Sequence, residues 1–197
     1  MRSEEKQKML RGELYLASDS VLAEERRKAR RLLHRMNVEM LGGTPESYAE
    51  VVRELLPNAK PPTWIQAPFY CDYGHNIHLG KDVYFNFNCV VLDGAVVTIG
   101  ARTQFGPNVQ IYTATHTLEA EPRRQALEFA KPITIGRDCW FGGSAVVCSG
   151  VTIGDRCVIG AGAIVTRDIP DDSFAAGSPA RVIRSIDQQP SNPPCEP

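Results

Sequence analysis

The sequence of 197 residues lacks a long apolar run. None of its stretches approaches the roughly 20 consecutive apolar residues that cross a bilayer. The residues at its start, Met1–Lys6, are polar and charged, and no apolar core of a signal peptide follows them. These absences predict a cytoplasmic protein that does not bind membranes.

An excess of charge of one sign is also lacking. Lysine and arginine number 22 and aspartate and glutamate 23, which gives a net charge of −1, whereas domains that bind nucleic acid carry a basic surface. One predicted helix is strongly basic, and its charged residues are Arg26, Arg27, Lys28, Arg30, Arg31 and Arg35. No aromatic residues alternate with them, so the pattern favours a solvated helix face over an anion-binding or partner surface and predicts no nucleic-acid partner.

Closely paired cysteines are absent as well. The six cysteines include no C-x-x-C pair, so the sequence predicts neither a disulfide framework nor a zinc site. They are Cys71, Cys89, Cys139, Cys148, Cys157 and Cys195. Because 43% of the residues are hydrophobic, the chain can form a sizeable core, and we expect most of these cysteines to be reduced and to pack within it.

The first sixty residues have the pattern of helices. Capping residues precede three apolar-periodic segments and predict where each helix begins. The predicted helices run from Ser3 to Arg11, from the Ser18–Ser20 cluster to about Asn37, and from Thr44 to Pro57, with Gly42–Gly43 ending the second. We therefore predict an N-terminal helical segment over residues 1–60.

After Pro68 the sequence repeats with a period of six residues. A large apolar residue stands at every sixth position, often followed by glycine, with a small or medium apolar residue four positions on. The clearest run is Ile135, Phe141, Val147, Ile153, Ile159 and Val165, and Ile99, Phe105 and Ile111 share its phase. A further set, Leu79, Phe85 and Val91, is displaced by two residues, which predicts a small insertion near Asp93 and Gly94.

A period of six fits neither a helix nor a continuous strand. It fits short strands on three flat faces of six residues each, which close a triangular coil, with successive coils stacked at about 4.8 Å. Ile135 should then lie over Ile153, and Cys139 over Cys157. Glycine is expected at the corners because it adopts turn conformations that other residues do not.

These patterns predict a mainly β fold with three parts. They are a helical segment over residues 1–60, a parallel β-helix over residues 61–186 with a protruding loop at 113–131, and a flexible tail over residues 187–197. The period alone does not give the handedness of the coil, and the usual crossover rule would predict a right-handed one.

Six further segments carry motifs beyond the repeat. They are Gly12–Tyr15, Cys71–Gly74, Asn86–Asp93, Ile111–His116, Pro132–Gly136 and Gly177–Ile183. Together with the repeat they resemble the hexapeptide-repeat acyltransferases, and within them the branch of maltose and galactoside O-acetyltransferases, over roughly residues 8–186. The resemblance implies a left-handed β-helix, a homotrimer with active sites between subunits, and transfer of an acetyl group from acetyl-coenzyme A to a sugar hydroxyl without a metal.

His116 opens the one long break in the repeat, the loop at residues 113–131. Loops that interrupt a regular scaffold commonly carry function, and imidazole titrates near neutral pH, so it can accept the proton of a hydroxyl as the C–O bond forms. The resemblance implies that His116 is the general base of a direct transfer in a ternary complex. An acyl-cysteine route is disfavoured, because Cys139 and Cys157 face inward by phase and Cys148 does not match a nucleophile of the family.

The resemblance also implies roles on both sides of the reaction. Trp140 is either a wall behind the base or the cofactor or a packing residue. Arg181 and Arg184, just past the repeat, fit the phosphate end of acetyl-coenzyme A. For this cofactor the resemblance implies an oxyanion-binding N–H at Gly143 and contacts from Ala161, Thr166 and Arg167. For the acceptor it implies Asn86 and, as looser assignments, Asp72, Asp93 and Asp19. Glu128, in the loop, is a further acceptor-binding candidate.

Other functions remain open from the sequence. The acceptor hydroxyl is alternatively that of serine or of an antibiotic. The scaffold also resembles γ-type carbonic anhydrases, which bind zinc through three histidines across a subunit interface. The available ligands would be His75, His78 and His116, whose spacing does not suit such a site. A non-catalytic scaffold or ligand-binding module is the third alternative.

Overall fold

A computed structural model describes residues 3–39 and 44–187 of the chain. The predicted helix stop at Gly42–Gly43, Cys195, and all but the first residue of the predicted tail lie outside the described residues. No helix in the described part is long and apolar enough to cross a membrane.

The N-terminal segment forms helices at the places where the capping residues predict them. The helices are α1 (Glu4–Arg11), α2 (Ser20–His34), which continues as a π-helical turn (Arg35–Glu39), and α3 (Pro45–Leu55). The side chains of Ser3, Asp19 and Thr44 each accept hydrogen bonds from backbone N–H groups of the first turn that follows, which confirms all three caps.

Nineteen short strands and a fourth helix make up the rest of the described chain. The first strands are β1 (Tyr15–Leu16), β2 (Thr63–Ile65), β3 (Phe69–Cys71), β4 (Ile77–Leu79), β5 (Val83–Phe85), β6 (Cys89–Leu92), β7 (Val97–Ile99), β8 (Gln104–Phe105) and β9 (Gln110–Tyr112). The loop adds β10 (Ala114–Thr115), α4 (Ala120–Arg124) and β11 (Leu127–Ala130). The last are β12 (Ile133–Ile135), β13 (Trp140–Phe141), β14 (Val146–Val147), β15 (Thr152–Ile153), β16 (Val158–Ile159), β17 (Ile164–Val165), β18 (Ser173–Gly177) and β19 (Ala180–Ser185).

Successive strands fall in turn on three parallel sheets, which are the faces of a triangular β-helix. The first face holds β2, β5, β8, β13, β16 and β18; the second holds β3, β6, β9, β14 and β17; the third holds β4, β7, β12 and β15. Ile135 pairs with Ile153 and Phe141 with Ile159, which confirms the stacking predicted from the repeat. The mainly β fold with a parallel β-helix is therefore confirmed.

All departures from the repeat occur at the corner between the second and third faces. Eight residues separate the inward Val91 from the inward Ile99, against six from Val147 to Ile153, so the predicted two-residue insertion is confirmed. The long loop leaves the coil at the same corner, between Tyr112 and Ile133. This corner therefore carries the irregular segments on which a site can be built.

The core is one column of inward side chains closed at one end by helices. Phe85, Phe105 and Phe141 on the first face stack at centroid distances of 4.5 and 4.7 Å. Phe69 on the second face meets Phe85 edge-to-face at 5.4 Å. Leu32 and Leu33 of α2, and Val52 and Leu55 of α3, belong to the same buried cluster. Each such side chain contributes about 1.5–3 kcal/mol by leaving water, so the helices cover the end of the column rather than forming a separate unit.

The glycines of the repeat serve a different purpose from the one expected. Gly100, Gly136 and Gly142 do not have a positive φ; instead, a Cβ added to them would lie 2.4–2.5 Å from the backbone or a side-chain oxygen of the next coil. The left-handed conformation belongs to other corner residues, such as Asn108 (φ 60°) and Ser144 (φ 61°). The expectation was wrong for these three glycines because close stacking of coils, not turn geometry, excludes a side chain there, whereas Gly162 (φ 68°) does adopt the left-handed conformation.

The loop is tied to the N-terminal segment by antiparallel pairing. Its strand β11 pairs with β10 on one side and with β1 on the other. At the far end of the helix, β19 folds back antiparallel on β18 and covers the last strand of the first face. Within the described residues, the N-terminal segment and β19 therefore both pack on the β-helix.

Candidate active site

The orientation of His116 is fixed by the loop hairpin. Its Nδ1 lies 3.2 Å from the carbonyl oxygen of Leu127, on β11. A carbonyl only accepts, so this bond requires a proton on Nδ1 and leaves the lone pair of Nε2 free in the neutral ring. Nε2 lies 4.0 Å from Oε2 of Glu128, and the imidazole is half exposed. The free nitrogen is therefore placed to take a proton, with a carboxylate beside it to stabilise the resulting cation.

Glu128 is held in turn by a buried tyrosine. The hydroxyl of Tyr15 donates a hydrogen bond of 2.5 Å to Oε1 of Glu128, and Tyr15 is almost fully buried. Burial, and then the neighbouring carboxylate, raise the pKa of Tyr15 far above its ordinary value, so the phenol remains a donor. Glu128 thus accepts a hydrogen bond from Tyr15 at Oε1, while its Oε2 lies on the side of Nε2 of His116.

A cavity of about 490 Å³ opens beside this pair. Its polar lining includes His116, Glu128, Asp72, Tyr112, Arg26 and Arg30. The volume lies in the usual range for small-molecule sites, and the lining mixes carboxylates, a phenol and guanidinium groups. Such a surface offers both donors and acceptors to a ligand with several hydroxyl groups.

Asp72 and Arg26 shape the wall of this cavity opposite the loop. Burial raises the pKa of Asp72, and the nearby Arg26 and Arg30 act in the opposite direction. Arg26 is itself fixed, since it donates hydrogen bonds to the hydroxyl of Tyr73 (2.7 Å) and the carbonyl of Ala17 (2.5 Å). The structure therefore places two of the predicted acceptor residues, Asp72 and Glu128, at the cavity that His116 lines.

Asp93 does not line this cavity. It is fully buried, and its carboxylate accepts hydrogen bonds from the backbone N–H groups of Asp72 (3.0 Å), Tyr73 (2.8 Å) and Gly74 (2.7 Å). Burial raises its pKa to about 6. The predicted contact with an acceptor is corrected, because every approach to the carboxylate is closed by the segment that it organises.

Asp19 does not line this cavity, and its predicted contact with an acceptor stays a prediction. Its Oδ1 accepts from the hydroxyl of Ser3 and from the N–H groups of Val21 and Leu22, so it is the N-cap of α2. The segment between Tyr15 and this cap contributes Ala17 to the cavity instead. Aspartate serves both as a cap and as a ligand-binding group, and here the cap role uses the oxygen that faces the helix.

Gly143 and its neighbours lie at another corner, between the first and second faces. Gly143 and Ala161 occupy equivalent positions on successive coils, joined by a hydrogen bond of 2.9 Å from Gly162 N to Gly143 O. The N–H of Gly143 donates to no residue that the structure describes. Asn86 lies at the same corner two coils earlier, where its Oδ1 accepts from Phe87 N, and so it does not line the cavity beside His116.

The remaining residues predicted for acetyl-coenzyme A are divided between two places. Trp140 is half exposed on the first face, and Arg181 and Arg184 lie on β19 at the end of that face, with the Arg184 guanidinium 5.8 Å above the ring of Phe174. Thr166 and Arg167 follow β17 and lie exposed at the corner between the second and third faces.

Known proteins match this arrangement along almost the whole chain. Residues 8–59 match the family described as the maltose acetyltransferase hexapeptide capping motif, and residues 132–167 match the hexapeptide repeat of succinyl-transferase. Nodulation protein L of Rhizobium meliloti (strain 1021) is 47% identical over 92% of this chain and 99% of its own.

Solved structures agree with the sequence matches. A maltose O-acetyltransferase from Clostridium difficile 630 superposes with a TM-score of 0.91 and 39% identity over 94% of this chain and 99% of its own. A galactoside acetyltransferase in complex with coenzyme A gives a TM-score of 0.89 and 36% identity over 95% and 94% of the two chains. The chain belongs to the maltose and galactoside O-acetyltransferase family.

Membership in this acetyltransferase family accounts for the two parts of the matched sequence. The capping motif at residues 8–59 contains Tyr15 and Arg26, which reach the cavity, and the repeat at 132–167 contains Gly143 and Ala161. Within residues 3–39 and 44–187, no group of three histidine, cysteine or acidic side chains is placed to hold a metal ion. His78 points outward on the third face, and His75 lies 3.8 Å from Glu25, apart from His116.

Five polar residues line the cavity that were not predicted from the sequence as site residues. They are Tyr15, Arg26, Arg30, Tyr73 and Tyr112. Tyr15 belongs to one of the motifs that resemble the family, and the two arginines belong to the basic helix. The sequence therefore drew attention to these residues but did not indicate what they do. What the sequence did not show is that α2 and β1 lie against the loop.

Proposed function

We propose that this family member transfers an acetyl group from acetyl-coenzyme A to a hydroxyl of a sugar bound in the cavity beside His116. The observation that carries the proposal is the orientation of His116, whose Nδ1 is occupied by Leu127 O while Nε2 faces the cavity side of Glu128. A hydroxyl is a weak nucleophile at neutral pH, and a general base within hydrogen-bond reach of it contributes about a hundredfold or more to the rate.

The proposed reaction is a direct transfer within a ternary complex. Nε2 of His116 accepts the hydroxyl proton as the oxygen attacks the thioester carbonyl, and Glu128 stabilises the imidazolium. The tetrahedral intermediate collapses with cleavage of the C–S bond. The imidazolium then returns the proton to the departing thiolate, so the enzyme ends in its starting state.

The negative charge of the intermediate requires a donor that His116 does not supply. The N–H of Gly143, which has no partner within the described chain, is the proposed oxyanion donor. The second face separates Gly143 from the corner that carries His116. We therefore propose a homotrimer in which the His116 corner of one chain meets the Gly143 corner of the next, with Trp140, Ala161, Arg181 and Arg184 along the coenzyme A slot.

A sugar is the proposed acceptor because the cavity is lined by groups that bind hydroxyls on several sides. Asp72 and Glu128 accept, Arg26 and Arg30 donate, and Tyr112 does either. An apolar antibiotic would leave several of these groups without partners, which disfavours its binding. The proposal thus ranks sugars above other hydroxyl compounds without selecting one sugar.

An acceptor screen followed by thiol release tests this function. Acetyl-coenzyme A is combined with maltose, glucose, a galactoside, serine or chloramphenicol, and free coenzyme A is measured. We expect turnover with one or more of the sugars and about a hundredfold or greater loss of kcat in His116→Ala. His78→Ala, which removes an outward imidazole from the third face, is the matched control and should retain full turnover.

Two results would overturn the proposal. Turnover with serine or chloramphenicol but with no sugar would replace the acceptor class. Unchanged kcat in His116→Ala would remove the base, and with it the mechanism.

A further inference from the structure

Tyr15 is a buried polar residue that the proposed reaction does not use directly. It is 1% exposed and lies among residues of the N-terminal segment, in a cluster with Met9, Leu22 and Tyr73. Its hydroxyl nevertheless reaches out of this cluster to Glu128, a residue 113 positions away in the sequence. A buried phenol normally finds a hydrogen-bond partner, but here the partner is the carboxylate that faces the proposed base.

The backbone brings these residues together through one strand. In β11, Leu127 supplies the carbonyl that accepts from Nδ1 of His116, and Glu128 supplies the carboxylate opposite Nε2. Strand β1 pairs with the same two positions, Tyr15 with Glu128 and Leu16 with Leu127. The N-terminal segment therefore supports both residues of β11 that contact the imidazole.

The phenol has little room to leave Glu128. A Cβ added at Gly94 would lie 3.4 Å from the Tyr15 hydroxyl oxygen and 3.3 Å from Cβ of Ala130. Gly94 and Ala130 thus pack beside the hydroxyl, on the side away from open solvent. This packing fixes the donor, and the donor fixes Oε1 of Glu128, so that Oε2 remains toward His116.

We propose that Tyr15 is a positioning residue for acetyl transfer, because its hydroxyl holds the Glu128 carboxylate in the place where it faces Nε2 of His116. The inference rests on the proposed function. The other charged groups at this cavity are Asp72, Arg26 and Arg30, and none of them has a hydrogen bond to Glu128 in the described chain. Tyr15 thus has no substitute among them.

The test compares Tyr15→Phe with Tyr48→Phe, each of which removes one hydroxyl. Tyr48 is the matched control, because its hydroxyl donates 2.7 Å to the carbonyl of Ile65, away from the cavity. We expect Tyr15→Phe to lower kcat about tenfold or more, as is typical when a residue that orients an active group is lost, while the KM for acetyl-coenzyme A stays unchanged. Tyr48→Phe should keep the kcat of the wild type.

A double-variant cycle separates positioning from a general structural effect. In a Glu128→Ala background there is no carboxylate to hold, so adding Tyr15→Phe should lower kcat no further. A full kcat in Tyr15→Phe, or an equal loss in both backgrounds, would overturn the inference. Should Tyr15→Phe unfold at the assay temperature, Glu128→Ala alone decides, because wild-type kcat in that variant leaves Tyr15 nothing to position.

Failure of this inference and failure of the proposed function give different results. If the function is wrong, the wild type shows no sugar-dependent release of coenzyme A, or His116→Ala keeps its turnover. If only the inference is wrong, the wild type releases coenzyme A in the presence of a sugar and His116→Ala loses its turnover, but Tyr15→Phe behaves like Tyr48→Phe.

Discussion

Two aspartates at the corner between the second and third faces illustrate how burial divides residue roles. Asp93 is closed inside and organises the backbone of residues 72–74, whereas Asp72, which donates its N–H to Asp93, lines the cavity. The buried carboxylate thus holds the backbone of the residue whose carboxylate lines the cavity. The polar wall of the cavity at this corner therefore depends on two carboxylates, because Asp93 fixes the backbone of Asp72.

The raised pKa of Asp93 predicts a pH-dependent contribution to stability. With a pKa of about 6 in the fold against about 3.9 in the unfolded chain, the folded protein holds more protons between these values. The free energy of unfolding from this group is therefore greatest below about pH 4 and falls, by a few kcal/mol at most, as pH rises through 6. Urea unfolding of the wild type and Asp93→Asn at several pH values checks this.

The comparison with Asp93→Asn isolates one carboxyl from the many that titrate in the same range. The stability of the wild type minus that of the variant should decrease from pH 4 to pH 7. A difference that stays flat or increases would show that the three backbone N–H groups compensate for burial in the ionised form.

The structure places some of the residues singled out from the sequence at the cavity and others elsewhere, for identifiable reasons. His116 stood out because it opens the break in a regular repeat, and the structure places it at a cavity. Asp93 was misassigned because aspartate has the same appearance in a sequence whether it caps, supports or binds. Tyr15 was missed because its partner is 113 residues away and no periodicity links the two.

At the scale of the coil, each column of stacked positions has its own physical requirement. Inward positions at the start of the first face hold Thr103, Cys139, Cys157 and Ser173, whose hydroxyl or thiol groups each contact a backbone carbonyl. The two cysteines are therefore small core residues with a weak hydrogen bond. Their stacking was predicted from the repeat, but their polar contacts were not.

The left-handed corner positions show a second regularity. At the corner between the third and first faces they hold Asp82, Arg102, Asp138, Arg156 and Asp172, which alternate in charge from coil to coil. Arg102 and Asp138 form two hydrogen bonds of 2.6 and 2.7 Å, and Arg156 and Asp172 form two of 2.7 Å. Exposed pairs of this kind contribute little individually, and the alternation at least avoids like charges in neighbouring coils.

Two glycine substitutions test the distinction between stacking and turn conformation. In Gly142→Ala the new Cβ would lie 2.4 Å from Ala161 N, whereas in Gly162→Ala nothing lies within 4 Å although φ is +68°. We expect Gly142→Ala to cost about 3 kcal/mol or more through overpacking against backbone, and Gly162→Ala about 1 kcal/mol. Thermal unfolding midpoints would rank them, and equal midpoints would contradict the stacking account.

The repeat was readable from sequence because one large residue per face must point inward, and that requirement repeats with the coil. The register, the insertion before Ile99 and the position of the loop all followed from it. The role of the glycines could not be predicted from the repeat. The period indicates that side chains are excluded at these positions, but it does not indicate which neighbouring atoms exclude them.

At the scale of the whole molecule, the chain carries the two halves of its proposed site on different corners. The N-terminal segment, Asp72 and the loop form the half with His116, and the coils that begin with β13 and β16 form the half with Gly143 and Ala161. A three-fold arrangement of identical chains brings unlike corners together at every interface and closes on itself. The proposed active form is therefore the homotrimer and not the single chain.

Mixed assemblies give the most direct test of the claim that acetyl transfer takes place where His116 of one chain meets Gly143 of another. Gly143→Pro removes the proposed oxyanion N–H. Proline already occupies the equivalent position of the preceding coil, as Pro107. Gly143→Ala keeps the N–H and is the control. His116→Ala and Gly143→Pro chains, each inactive alone, are co-expressed in equal amounts and kcat per chain is measured. Random three-fold assembly leaves about a quarter of the sites with both halves intact, so the account predicts about a quarter of wild-type activity, and a mixture as inactive as its components would contradict it.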